Sequence, residues 1–157
     1  MATPTDQTCS AEFLQEHVEL STSPAADLVA DSGEQPNIPI CIKITSVEKG
    51  TVKAGLRVEK KHLNSKGFLH GTVSTCLIDW MGSMVIASHG LEKTGLSTDI
   101  HATYIATAQE GDVLLVVGQA SRVGRSLAFL TVNISKVLPS GETQIVATGT
   151  HTKYIKQ

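Results

Sequence analysis

One carboxylate, Asp79, lies inside an apolar run, and a short polar loop precedes it with the order His62-x-Asn64 and then Leu69-His70-Gly71. These residue types suit hydrolysis or proton transfer. A glycine at the start of a helix presents a backbone N–H that has no helical partner and carries the positive end of the dipole. Such a donor can polarise a carbonyl. Without a Cβ, the glycine also lets a ligand approach closely. A carboxylate in a partly desolvated place is a stronger base, because burial disfavours its charged form. Further along stand Ser97, Asp99 and Tyr104, then Arg122 and Arg125 around Gly124, and His151 near the C-terminus. Ser97 has no His–Asp pair near it in the sequence and no nucleophile elbow, which argues against a serine-hydrolase triad. His17, His62, His89 and His101 lack ligand spacing, so no metal site is expected.

These groups need elements to position them. After Gly71, apolar residues recur at Val73, Leu77, Trp80, Met84 and Ala87, which is helical spacing. Cys76, Met81 and Val85 widen the stripe, so the helix should be mostly buried, with Gly90 as its left-handed stop. Asp79 falls on a narrow polar stripe with Thr72, Thr75 and Ser83. Before the helix, Ile40, Ile42 and Ile44 and then Val52, Ala54, Leu56 and Val58 alternate with other residues, which predicts a hairpin. After it come strand-like runs at 95–105, 113–123, 126–138 and 143–155, the last three an antiparallel meander. One long apolar helix against one antiparallel sheet is an α+β architecture, with the sheet wrapped around the central helix. Gly71 and Asp79 are eight residues apart, roughly 12 Å along a helix. They cannot touch one reacting carbon within a single chain, so a shared site requires at least a dimer.

The chain has 157 residues, one domain of ordinary size. No stretch is long and apolar enough for a transmembrane helix. Residues 1–42 hold seven acids and no Lys or Arg, whereas 43–157 carry a net charge of about +5. Residues 1–37 read as an N-terminal tail with a short helix starting near Ser10, and 38–157 as the folded domain. The acidic tail is unlike an Arg-rich mitochondrial presequence. The basic domain suits a small anionic ligand, and no basic cluster with interleaved aromatics points to nucleic acid. Three cysteines without metal or disulfide spacing suggest a reducing, intracellular compartment. The cytoplasm is favoured, with mitochondria left open.

The order of these motifs resembles the hotdog fold, and more narrowly the PaaI-type acyl-coenzyme A thioesterases. It is carried by His62-x-Asn64, Leu69-His70-Gly71, Asp79, Gly95-Leu96-Ser97-Thr98-Asp99, Thr103-Tyr104, the run from Gly124 to Phe129, and Gly149-Thr150-His151-Thr152-Lys153. Thr72 departs from the pattern, since many relatives have a second glycine there. The resemblance implies that Gly71 N–H polarises a thioester carbonyl and that Asn64 helps hold that region or its water; His70, the candidate beside them, either takes part directly in proton transfer or holds Gly71 in place. Asp79 would be general base or nucleophile, and Ser97 would orient the water. Asp99, Tyr104, Ile105, Ala106, Arg122, Val123, Gly124, Arg125, Ser126, Leu127 and His151 would contact substrate or its coenzyme A. Coenzyme A would be part of the substrate, with no separate cofactor. The assembly would be a homodimer, paired again as a tetramer.

Blander readings stand beside these. Asn64 serves equally as a turn cap, and His70 as a loop residue that holds Gly71. Asp79 could be a structural carboxylate, and the two arginines plain solvated charges. Two other functions compete with thioester hydrolysis: an acyl-thioester hydratase or dehydratase, and a non-catalytic acyl-coenzyme A-binding protein.

Overall fold

A computed structural model describes residues 42–91 and 93–156. The N-terminal tail, the short helix expected in it and the expected start of the first strand at Ile40 lie outside the described residues.

Alternation opens the described chain. β1 (Ile42–Glu48) and β2 (Thr51–Arg57) pair as a hairpin across Lys49-Gly50, where Gly50 takes a φ of 82°. A left-handed residue at such a turn is cheap only for glycine. Ile42, Ile44, Val52, Ala54 and Leu56 face the core, as the period of two requires, and the register shifts between Ile44 and Ser46. A 3₁₀ turn (Lys60–His62) and a polar loop lead into α1 (Gly71–Ala87). Then come β3 (Leu96–Tyr104), β4 (Val113–Val123), β5 (Leu127–Val137) and β6 (Thr143–Tyr154).

All strands join one antiparallel sheet in the order β1-β2-β4-β5-β6-β3. The expected meander is β4-β5-β6. β3 returns beside β6 and forms one sheet edge, with most of its residues exposed. α1 lies across the inner face and contacts β2 through β6. This is the α+β hotdog arrangement.

The core is aliphatic. Leu77, Ile78, Met81, Val85 and Ile86 from the helix meet Leu114, Val116, Leu130, Val132 and Ile134 from the sheet, all buried. Each fully buried side chain of this kind contributes about 1.5–3 kcal/mol. Two glycines let the helix sit close. A Cβ at Gly118 would overlap Met81 and Val85, and one at Gly149 would overlap Ile78. The buried helix face is rotated from the expected stripe. Ser74, Ile78, Gly82 and Ile86 are buried, while Trp80 and Cys76 are only half-buried. Apolar residues run most of the way round this helix, so spacing alone could not locate the centre of the buried face. Among the described residues, no helix is long and apolar enough to cross a membrane.

Candidate active site

Three elements bring together a polar cluster midway along α1. Asp79 projects from the helix, Ser97 from the start of β3, and His151 from the inner face of β6. Ser97 Oγ donates to Asp79 Oδ1 at 3.0 Å and lies 2.9 Å from His151 Nε2. The same Nε2 is 3.5 Å from Asp79 Oδ1. His151 is fully buried, whereas the Asp79 side chain is 53% exposed in the single chain. The expected desolvation of Asp79 is therefore not met within one chain.

The site favours the neutral form of the histidine. Burial pushes its pKa below the ordinary value, and the Lys153 charge adds to this; Asp79, the Ile78 carbonyl and Asp99 pull the other way. The contact between His151 and Asp79 is thus a neutral ring beside a carboxylate rather than an ion pair. Because Ser97 gives its proton to Asp79, its lone pair takes the Nε2–H of His151. Nδ1 is buried without a hydrogen bond; the Ile78 carbonyl favours the charged ring but forms no well-aligned bond with it.

Ser97, His151 and Asp79 are neighbours in space, although the sequence places no His–Asp pair near Ser97. They do not form a serine-protease relay. There the acid orients the histidine through the far nitrogen, whereas here acid and histidine both meet the serine hydroxyl. The chain of donors runs His151 to Ser97 to Asp79 and ends on the carboxylate.

Gly82 and Lys153 complete this cluster; Gly82 was not singled out from the sequence, and Lys153 entered only as the last residue of the closing motif, with no role given to it. A Cβ at Gly82 would overlap the His151 ring. A glycine inside a helix costs about 1 kcal/mol relative to alanine, and that was the available signal for a packing reason. Lys153 is 3% exposed and donates to Ser83 Oγ at 3.0 Å.

The second group of residues sits at the N-terminus of α1. His70 is the N-cap, and its Nδ1 accepts from Thr72 N–H at 3.1 Å. Asn64 Oδ1 accepts from the N–H groups of Lys66 and Phe68 at 2.9 and 3.2 Å, so its carbonyl is used as a turn cap. No described hydrogen bond uses the Asn64 side-chain NH₂ or the Gly71 N–H. Tyr104, at the far end of β3, places its ring against Gly71, and its hydroxyl lies 2.7 Å from Thr75 Oγ1. Ile105 and Ala106 follow it, both donating to the Val146 carbonyl.

The remaining candidates lie at the β4–β5 turn. Arg122, Arg125, Ser126 and Leu127 are exposed, while Val123 and Gly124 are half-buried. Val123 pairs with Ala128, Ala128 with Lys153 and Lys153 with Ser97. That row places the turn three strand spacings, about 14 Å, from Ser97. Asp99 is exposed on β3. One chain therefore gathers Asp79, Ser97 and His151 at one place, and Asn64, His70, Gly71 and Tyr104 at another. Cys76 is half-buried, and burial followed by the Asp79 charge pushes its thiol pKa up. Among the described residues, no three His, Cys, Asp or Glu side chains form a metal site.

The sequence pattern of the thioesterase superfamily matches residues 66–137. A putative esterase of Schizosaccharomyces pombe is 31% identical over 131 residues, covering 83% of this chain and 79% of that one. Human acyl-coenzyme A thioesterase 13 is 28% identical over 73% of this chain and 79% of its own. The crystal structure of zebrafish thioesterase superfamily member 2 superposes with a TM-score of 0.69 at 28% identity, covering 84% of this chain and 96% of that one. With the helix, the His-Gly loop and the six-stranded sheet in this order, the chain belongs to the thioesterase superfamily.

Proposed function

We propose that this chain hydrolyses acyl-coenzyme A to the free acid and coenzyme A, working as a homodimer with two sites of exchanged parts. The observation that carries the reading is the separation of the two polar groups. The Gly71 N–H, which has no partner among the described residues, stands at one end of α1 and the Ser97-held Asp79 carboxylate stands eight residues on, roughly 12 Å away. A second copy supplies the missing half. The edge strand β3, which carries Ser97, pairs on one side only among the described residues, which leaves its other side for a second copy.

In such a site the thioester oxygen takes the Gly71 N–H, strengthened by the helix dipole, and the free NH₂ of Asn64 adds a second donor. Asp79 of the partner subunit accepts a proton from water, held by Ser97 and the neutral His151 behind it. The water oxygen bonds to the carbonyl carbon, the C–S bond breaks, and the departing thiolate takes the proton back. Direct attack by the carboxylate uses the same placement, with water then cleaving the anhydride. Arg122 and Arg125 at the β4–β5 turn offer charge-assisted bonds to coenzyme A phosphates. Pairing of two dimers into a tetramer fits the exposed Leu127, Phe129 and Tyr154 on the outer face of the sheet. An intracellular setting fits the free Cys76 thiol.

A thiol-release panel over straight, branched and aromatic acyl-coenzyme A substrates tests the reading. Turnover with one thiol per acid supports it. Loss of enoyl absorbance without thiol release selects a hydratase, and binding without turnover selects a sensor.

A further inference from the structure

Lys153 is an anomaly. An ammonium group is strongly hydrated and seldom fully buried unless paired, yet this residue is 3% exposed on the inner face of β6. Its neighbours on that face are His151 two residues before and Ile155 two residues after, both buried. Its one described hydrogen bond goes to Ser83 Oγ at 3.0 Å, and among the described residues no carboxylate lies within salt-bridge distance. Simple packing does not explain it, because an aliphatic side chain would fill the same place without dehydrating a charge.

Its surroundings suggest a purpose. Ser83 lies one helical turn beyond Asp79 on the same polar stripe, and Ser97, which holds Asp79, is the register partner of Lys153. Asp79 is the only charged residue of α1. Burial lowers the pKa of Lys153, and the Asp79 charge opposes that fall. The two groups therefore attract across the helix–sheet interface. The other titratable groups around the pair are His151 on β6, Cys76 on α1 and Asp99 on β3; the partner on β5, Ala128, is apolar.

We propose that Lys153 is a positioning residue of the catalytic cluster: a buried cation that holds the Asp79 carboxylate charged and turned towards Ser97. The proposal rests on the thioesterase reading of Asp79. In that reading a half-exposed carboxylate must be kept ionised and aimed at a water. A fixed positive charge behind Ser83 and Ser97 does both without touching the substrate.

Two measurements test it. The first needs no activity. Titration of the Lys153 ε-methylene, followed by NMR in the wild type and in Asp79→Asn, should show the lysine pKa lower in the variant, because its attracting charge is gone. An unchanged titration overturns the coupling. The second uses Lys153→Gln, which keeps a donor for Ser83 but no charge, and Lys153→Met, which keeps only the bulk. Both should lower kcat about tenfold or more with KM within about twofold. Their melting temperatures should be unchanged or raised, since a dehydrated cation is removed. A lysine that only supports the fold predicts lower melting temperatures and full kcat in the folded fraction, which overturns the proposal. Should Lys153→Met fail to fold, Lys153→Gln and the titration still decide it. A wild-type chain without turnover on any acyl-coenzyme A sinks the thioesterase reading, while the titration still reports on the charge pair.

Discussion

The two polar regions along α1 are built in opposite ways. At the N-terminus, every described hydrogen bond of the Asn64 and His70 side chains goes to a backbone group within a few residues: Lys66 and Phe68 for Asn64, Thr72 for His70. Apart from Tyr104, which arrives from β3, that region is local, and its donors belong mainly to the main chain. Midway along the helix, Asp79 is joined by Ser97 from β3 and His151 from β6, with Lys153 of β6 bonded to Ser83 one turn further on. That region exists only after the sheet has formed. The first offers hydrogen-bond donors towards an oxygen, and the second offers a carboxylate backed by a neutral ring and a buried cation. Thioester hydrolysis needs both kinds, and the chain keeps them apart.

Substitutions should divide along the same line. The largest effect belongs to the mid-helix cluster. Asp79→Asn keeps shape and removes the base, so kcat should fall by about 10² or more, while KM is nearly kept and the melting temperature holds or rises. A folded, dimeric variant with near wild-type kcat would remove the carboxylate from the mechanism. Next comes its support: Gly82→Ala drives a methyl into the buried His151 ring. Overpacking of this kind costs about 1–3 kcal/mol, and a chemical denaturation midpoint reads it. The same substitution should lower kcat, because the ring that meets Ser97 must move. A variant as stable as wild type would show that the helix can slide.

Further out, replacing Arg122 and Arg125 together by Ala should raise KM several-fold and leave kcat within about twofold. The reverse pattern would place those side chains in the chemistry. The smallest effect is on stability against pH. His62 and His151 both titrate below the ordinary value of 6.5, with burial the largest cause. The unfolded chain then binds more protons than the folded one as pH falls through that value, so stability is full above about 6.5 and declines below it. Melting temperatures at pH 7.5 and 5.5 should show the loss, and a flat profile would contradict the buried neutral rings.

The contrast also explains what the sequence could reveal. The loop and helix were legible because their signals are local: His70-Gly71 before a run of helical spacing, and Gly90 with a φ of 79° after it. The alternation through β2 was legible in Val52, Ala54 and Leu56 and in Val58 just after it, each at 0–1% exposure. The meander followed from its turns. Ser97 and His151 entered through the resemblance, but their contact with Asp79 was not legible in the spacing, because the pairing of β3 with β6 joins residues far apart in the chain, with Ser97 opposite Lys153. Alternation on β6 did carry a hint, since Lys153 falls in phase with Ile155 and therefore inside. A charged residue at an inward position is the signature of a site, and it needs the strand to be phased before it can be read. Asn64 shows the opposite limit: its residue type fits both a turn cap and a substrate donor, and its carbonyl serves the turn.

The central claim is that one working site takes Gly71 from one chain and Asp79 from another, and mixed dimers test it most directly. Asp79→Asn lacks the carboxylate. Gly71→Pro lacks the N–H, yet proline suits the first helical position, and His70 already has the extended ψ of 133° that precedes proline. Each variant alone should be nearly inactive. In a dimer containing one of each, one site recovers Gly71 and Asp79 together while the other loses both. Random reassociation should therefore restore about a quarter of wild-type activity. Mixed dimers that form, as seen by native mass spectrometry, yet stay as inactive as their parents would contradict the shared site.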